Sequence, residues 1–201
     1  SSEVSPVMED ISRHKRSVPT PSSCPLTLPA GMMAESIDDA LQTWNSEQGH
    51  VSEIWSNFYQ GALLCNKVIE QIENGILPAS SEADKTMGLA ELRAMRAYYY
   101  WQICDNFGDA PLVTTTTMEL PSKSNRKEIF DFIELKEIIP SLSEEQGGNF
   151  YGRMNKWAAK TLLANIYLNA KVYTGEEHWD DCIQQCDDII KATGSHCPTT
   201  T

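Results

Sequence analysis

The chain has no apolar run approaching the roughly 18 residues that a membrane-spanning helix requires, and none of its segments reads as transmembrane. Positive charge is also scarce. Sixteen lysines and arginines stand against 28 aspartates and glutamates, a net charge of −12. Without a basic stripe to neutralise phosphates, nucleic acid is excluded as a partner, and adsorption to anionic lipid is disfavoured. Histidine is sparse and scattered: His14, His50, His178 and His196 form no HExxH pair. There is no GxSxG elbow, and Gly147-Gly148 lacks the lysine and following helix of a phosphate loop. Ser1–Arg16 has no apolar centre, so it does not read as a signal peptide. No catalytic constellation emerges.

Carboxylates and cysteines are plentiful, but their spacing is bland. Glu144-Glu145, Glu176-Glu177, Asp180-Asp181 and Asp187-Asp188 are adjacent in sequence. Adjacent residues on a helix diverge, so these pairs read as solvated or helix-start charge, not as the converging acids of a glycosidase. Of the six cysteines, Cys65, Cys104, Cys182 and Cys186 fall within expected helices at positions compatible with burial. Cys182 and Cys186 lie one turn apart, yet a structural zinc needs two further ligands, and only His178 is near. Neither a metal nor a cofactor is expected.

Four helices are legible from apolar periodicity. The first spans about Val51 to Asn74, with Ile54, Phe58, Ala62, Cys65, Ile69 and Ile72 as its stripe, and stops at Gly75 and Pro78. The second spans about Asp84 to Phe107. On it Leu92, Met95, Tyr99 and Ile103 recur at helical steps, while Ala90, Ala94, Ala97 and Trp101 line an adjacent face. A helix apolar on two faces must be covered on both. Gly108 can take the left-handed conformation that ends a helix, and Pro111 prevents its resumption. The last pair is Asn155–Ala170 and Glu176–Ala192. The latter carries Trp179, Ile183, Cys186 and Ile190 on one face, with Thr174 and Glu177 as a capping box. The fold class is all-α, and two adjacent helix pairs with short connections suggest tetratricopeptide-like helical hairpins, although the internal repeat is too weak to assign them by itself.

A further amphipathic helix begins near Asn125 and breaks phase. Ile129, Phe130 and Ile133 set one face; Leu135, Ile138, Ile139 and Leu142 set another. The two-residue step from Ile133 to Leu135 does not keep a helix face. One or two residues restored after Ile133 would align the halves, so a small deletion or sequence error is expected there.

The segment Glu91–Val113, ELRAMRAYYYWQICDNFGDAPLV, closely resembles the central signature of the SusD/RagB family. His50 to Trp55, Tyr59, Asn66 and Ile69 resemble the family's first long helix. Tyr151-Gly152-Arg153, Ala158-Ala159, Leu162 to Ala164, Tyr167 to Ala170 and Trp179 resemble its next helix pair. The ordered series covers most of Trp44 to Ile190. The resemblance implies the N-terminal part of a SusD-like superhelix. It also implies a non-catalytic role: an oligosaccharide held at the cell surface and delivered to a TonB-dependent SusC-like porin. Outer-membrane attachment through a lipoprotein signal and lipid-bearing cysteine belongs to the family; neither is present in this chain.

Residues 1–40 depart from the family. They show no periodicity, and Ser17–Pro29 is a Pro/Ser/Thr cluster. Where the family carries an aromatic, aspartate- and glycine-rich loop, this chain has Ala30 to Ile37. One synonymous coding of that stretch, read in another frame, gives Trp-Tyr-Asp-Gly-Gly-Ile. A frame-shifted segment before about Leu41 is therefore expected. The organisation expected is an aberrant 1–40, a helical domain over 41–193 and a tail over 194–201.

Sugars are held by ring faces and a few polar groups. Trp55, Tyr59, Tyr99, Trp101, Trp157 and Tyr167 sit at helical spacing and read as core. Trp44, in the polar stretch TWNSEQGH, is the candidate carbohydrate-binding residue. Two readings compete with glycan uptake: a helical-repeat adaptor that binds a protein partner on its concave face, and an α-helical glycosidase.

Overall fold

The computed structural model describes residues 49–116, 122–133 and 135–193. Helix α1 is Gly49–Glu73 and α2 is Glu82–Phe107, folded back on each other as a hairpin. Trp55 meets Phe107 edge-on at one end, and Glu73 pairs with Arg93 at 2.8 Å at the other. The Ser81 hydroxyl caps α2 by accepting the Asp84 N–H at 3.1 Å. Gly108 closes it at φ 80°, ψ −125°, where its N–H donates to the Cys104 carbonyl. A side chain there would also strike the Arg126 guanidinium, with a Cβ 2.8 Å from Nη2. The positive φ is what requires glycine, since the arginine end can move aside.

The expected α1 stripe is inward, with Ala62, Cys65 and Ile69 buried. On α2 the alanine face is the deepest: Ala90, Ala94 and Ala97 are buried together with Tyr100, Ile103 and Cys104. Small residues let α1 approach one side of α2, while the next helix covers the other, so both apolar faces are used.

Two elements differ from the all-α expectation. Ala110–Pro111 and Lys123–Ser124 pair as a two-residue antiparallel bridge. The amphipathic segment is not one long helix. Helix α3 runs only over Arg126–Ile133, and a 3₁₀ turn follows at Ile139–Ser141. Asn125 and Glu128 cap α3 reciprocally, each side chain accepting the other's backbone N–H at 2.9 and 2.8 Å. Helix α3 ends at Ile133 and the described chain resumes at Leu135. Ile129, Phe130, Ile133, Leu135, Ile139 and Leu142 are all buried, so both apolar halves face the core. The position at which a small deletion is expected, residue 134, lies outside the described residues.

Helix α4, Lys156–Leu168, is capped by Asn155 and buries Ala159, Leu162, Leu163, Ala164, Ile166 and Tyr167. A short α5, Ala170–Thr174, ends at left-handed Gly175. Helix α6 is Trp179–Thr193. The Thr174–Glu177 capping box does not form. Thr174 closes α5, its hydroxyl accepting the Glu176 N–H, and Glu177 pairs with Lys171 at 2.6 Å. The α6 start is instead held by His178, whose Nδ1 lies 2.9 Å from Asp181.

Helix α6 packs on α4 through its more polar side. Lys160 pairs with Asp188 at 2.6 Å, and the Cys182 thiol donates to the Ala164 carbonyl at 3.3 Å. Cys186 is exposed, contrary to its expected burial, because it lies on the face turned away from α4.

Candidate functional site

The α1–α2 hairpin grips the segment that leaves α2. The Tyr59 hydroxyl donates to the Pro111 carbonyl at 2.7 Å. Tyr100, fully buried, donates to the Val113 carbonyl at 2.7 Å and accepts the Val113 N–H at 2.8 Å. Asn66 donates to the same carbonyl at 2.7 Å and accepts from Arg96 at 2.8 Å. The Arg96 guanidinium lies over the Phe132 ring, 4.9 Å from its centroid. Thr116 bonds Glu70 at the outer end. Four hairpin side chains, Tyr59, Tyr100, Asn66 and Glu70, thus hold Pro111–Thr116, with Arg96 braced behind Asn66.

Burial decides the chemistry of these groups. It raises the Tyr59 and Tyr100 hydroxyls above the ordinary phenol range; Tyr100 adds to the shift at Tyr59, while the bond to Val113 and the Arg96 charge oppose it at Tyr100. It lowers Arg96. Burial likewise pushes the Cys104 thiol up to about 12, with Arg126 opposing the shift and Asp105 and Asp109 adding to it. That thiol carries no nucleophile at neutral pH. Tyr173 is raised by burial and by its bond to Asp105 at 2.6 Å. These groups are structural anchors.

One member of each adjacent carboxylate pair is engaged in an ion pair: Glu144 holds Lys156, Glu177 holds Lys171, Asp181 meets His178 and Lys136, and Asp188 holds Lys160. Among the described residues no group of three or more histidine, cysteine or acidic side chains could hold a metal. No described helix is long and apolar enough to cross a membrane.

Trp44, the sequence candidate for sugar contact, lies outside the described residues. Tyr167 is fully buried, and Trp55, Tyr59, Tyr99 and Trp101 pack against the core as expected. Trp157 is half-buried and donates its indole N–H to the Glu144 carbonyl at 3.0 Å. Among the described residues the aromatic ring most open to solvent is that of Tyr151, which the sequence places only within the Tyr151-Gly152-Arg153 motif. Tyr151 is 85% exposed, at the end of the Gly148–Phe150 turn. Its base is fixed: Arg153 pairs with Glu91 at 2.9 Å and covers the Phe150 ring. Gly147, Gly148 and Gly152 open onto empty space around it. Three glycines beside one tyrosine were the available signal.

The geometry is that of a rigid helical scaffold with loops presented from it, and comparison with known proteins agrees. Residues 18–168 match the family model described as SusD-like, starch-binding and associating with the outer membrane. The matched span takes in part of 1–40. A SusD-like protein of Bacteroides ovatus is 35% identical over 147 residues, covering 65% of this chain and 26% of that protein. The starch-binding protein SusD of Bacteroides thetaiotaomicron is 33% identical over 119 residues, covering 58% and 21%. The chain therefore spans about a quarter of the length of these relatives. A solved SusD superfamily protein from Parabacteroides distasonis superposes with a TM-score of 0.66 at 24% identity, over 78% of this chain and 34% of that one. The family match, the two relatives and the shared helical architecture make this chain a member of the SusD/RagB family.

Proposed function

We propose that this chain supplies part of the scaffold of a non-catalytic glycan-binding protein of an outer-membrane uptake system. In that role a protein of the relatives' length holds an oligosaccharide at the cell surface and passes it to a TonB-dependent SusC-like porin. The observation that carries the reading is family membership. Sugar retention needs ring faces and a few polar donors, with no bond made or broken. The adaptor and glycosidase readings have no such support.

Trp44 and Tyr151 are the rings proposed to meet sugar. Trp44 precedes α1 in a polar stretch, and Tyr151 presents its ring to solvent. The helical part is assigned to 41–193, with 1–40 as the segment whose reading frame is in question. A segment out of frame before about Leu41 would remove the family's aromatic loop, and a lone Trp44 cannot recreate a cleft.

The test is calorimetric titration of starch oligosaccharides and other plant and host glycans into the chain extended to family length. Binding without shortened sugars supports the reading. Substitution Tyr151→Ala should weaken binding, while Tyr151→Phe, which keeps the ring, should not. Sequencing the coding DNA tests the frame proposal: codons with no aromatic second-frame reading before Leu41 would end it.

A further inference from the structure

The stretch from Ser143 to Lys156 is a closed loop. At its base the Lys156 N–H donates to the Ser143 carbonyl at 2.8 Å, and the Asn155 amide donates to the Glu145 carbonyl at 3.2 Å. Tyr151 stands on this loop at the end of the Gly148–Phe150 turn, as part of a compact surface feature with joined ends. Both cations of the loop are occupied. Arg153 pairs with Glu91 at 2.9 Å, its guanidinium donating further at 3.1 and 3.2 Å, and Lys156 pairs with Glu144 at 2.6 Å. Glu145 makes no ion pair among the described residues. Two polar groups are unspent. The Asn149 amide and the Tyr151 hydroxyl make no hydrogen bond among the described residues, and both residues are exposed.

We propose that Asn149 and Tyr151 form a subsite for an uncharged sugar unit, and that this subsite discriminates against uronate and sulfate groups. The inference rests on the glycan-uptake reading above and gives its ligand a class, the neutral glycans. The Tyr151 ring stacks on a pyranose face, and the Asn149 amide meets the hydroxyls beside it. An amide both donates and accepts, as a sugar hydroxyl does. A carboxylate or sulfate only accepts, and is held strongly where a cation donates to it. Here no cation of the loop is free to do so. To take Arg153, an anionic sugar must displace Glu91, whose side chain is only 16% exposed, and leave that carboxylate unpaired. Taking Lys156 likewise means displacing Glu144. The net charge of −12 repels a polyanion at longer range. Gly147, Gly148 and Gly152 leave open space around the ring in which the sugar chain continues.

Calorimetric titration of the chain extended to family length tests this, with neutral glucan, xylan and mannan oligosaccharides, oligogalacturonate and a sulfated galactan oligosaccharide as probes. The expected result is binding of at least one neutral probe, with both anionic probes at least about tenfold weaker at low salt. Asn149→Ala and Tyr151→Ala, each checked for unchanged circular dichroism, should weaken neutral binding several-fold. Glu144→Gln combined with Glu145→Gln removes two surface carboxylates and frees Lys156. That variant should strengthen binding of the anionic probes several-fold and leave neutral binding unchanged. Anionic probes that bind the original chain as tightly as the neutral ones would overturn the inference while leaving glycan uptake standing. Neutral binding indifferent to both alanine variants would put the ligand elsewhere and overturn it too. Failure of every probe to bind would overturn the uptake reading itself, and the inference with it.

Discussion

Gly61 on α1 lies directly beneath the ring of Tyr99 on α2: a Cβ at Gly61 would stand 2.3 Å from Tyr99 Cζ. Glycine inside a helix normally costs about 1 kcal/mol against alanine, so the close approach of the two helices is what keeps it there. Gly61→Ala should destabilise the chain by about 1–2 kcal/mol through overpacking, despite its better helix propensity. In a Tyr99→Ala background the sign should reverse. Chemical denaturation of the four-member cycle reads the coupling directly.

Tyr100 binds both polar atoms of Val113 from a fully buried position. Tyr100→Phe leaves the Val113 N–H without its partner and the carbonyl with Asn66 alone, at a cost of about 1–3 kcal/mol. Tyr59→Phe, which removes one bond to Pro111, should cost less. Hydrogen exchange at the Val113 amide should quicken selectively in the Tyr100 variant. Equal effects of the two substitutions would mean that the grip on Pro111–Thr116 is not centred on Tyr100.

Acid should loosen α6 before the core. Its bond to Lys160 holds the Asp188 carboxyl below the ordinary aspartate value, and Lys171 does the same for Glu177. Groups lowered in the folded state contribute fully above their ordinary values and lose that contribution as pH falls through the folded ones. For Asp188 the loss therefore falls below its ordinary 3.8. Trp179 fluorescence should report the change in that window, and Asp188→Asn should abolish this pH dependence at the α4–α6 contact. An unchanged acid transition in the variant would assign the effect to other carboxylates.

Periodicity located α1, α2, α4 and α6 to within a few residues because each has an apolar stripe and a recognisable stop. It could not tell which stripe faces inward. The Trp179-Ile183-Cys186-Ile190 face and the alanine face of α2 look alike as patterns, yet only the latter is covered. Tyr100 stood in a run of three tyrosines, and only tertiary contact picks out the one that seizes Val113. The phase conflict between Ile133 and Leu135 is visible in the sequence, whereas the burial of both halves is a property of the packing. The site was the least legible part: ring exposure is a property of packing, and Tyr151 has no periodic signature.

Titration calorimetry of starch oligosaccharides against this chain extended to family length, with chromatography of the sugar recovered afterwards, bears most directly on the central claim. The account predicts saturable binding with every oligosaccharide recovered at its original length, and weaker binding after Tyr151→Ala. Release of shorter sugars, or no binding to any glycan of a broad panel, would contradict it.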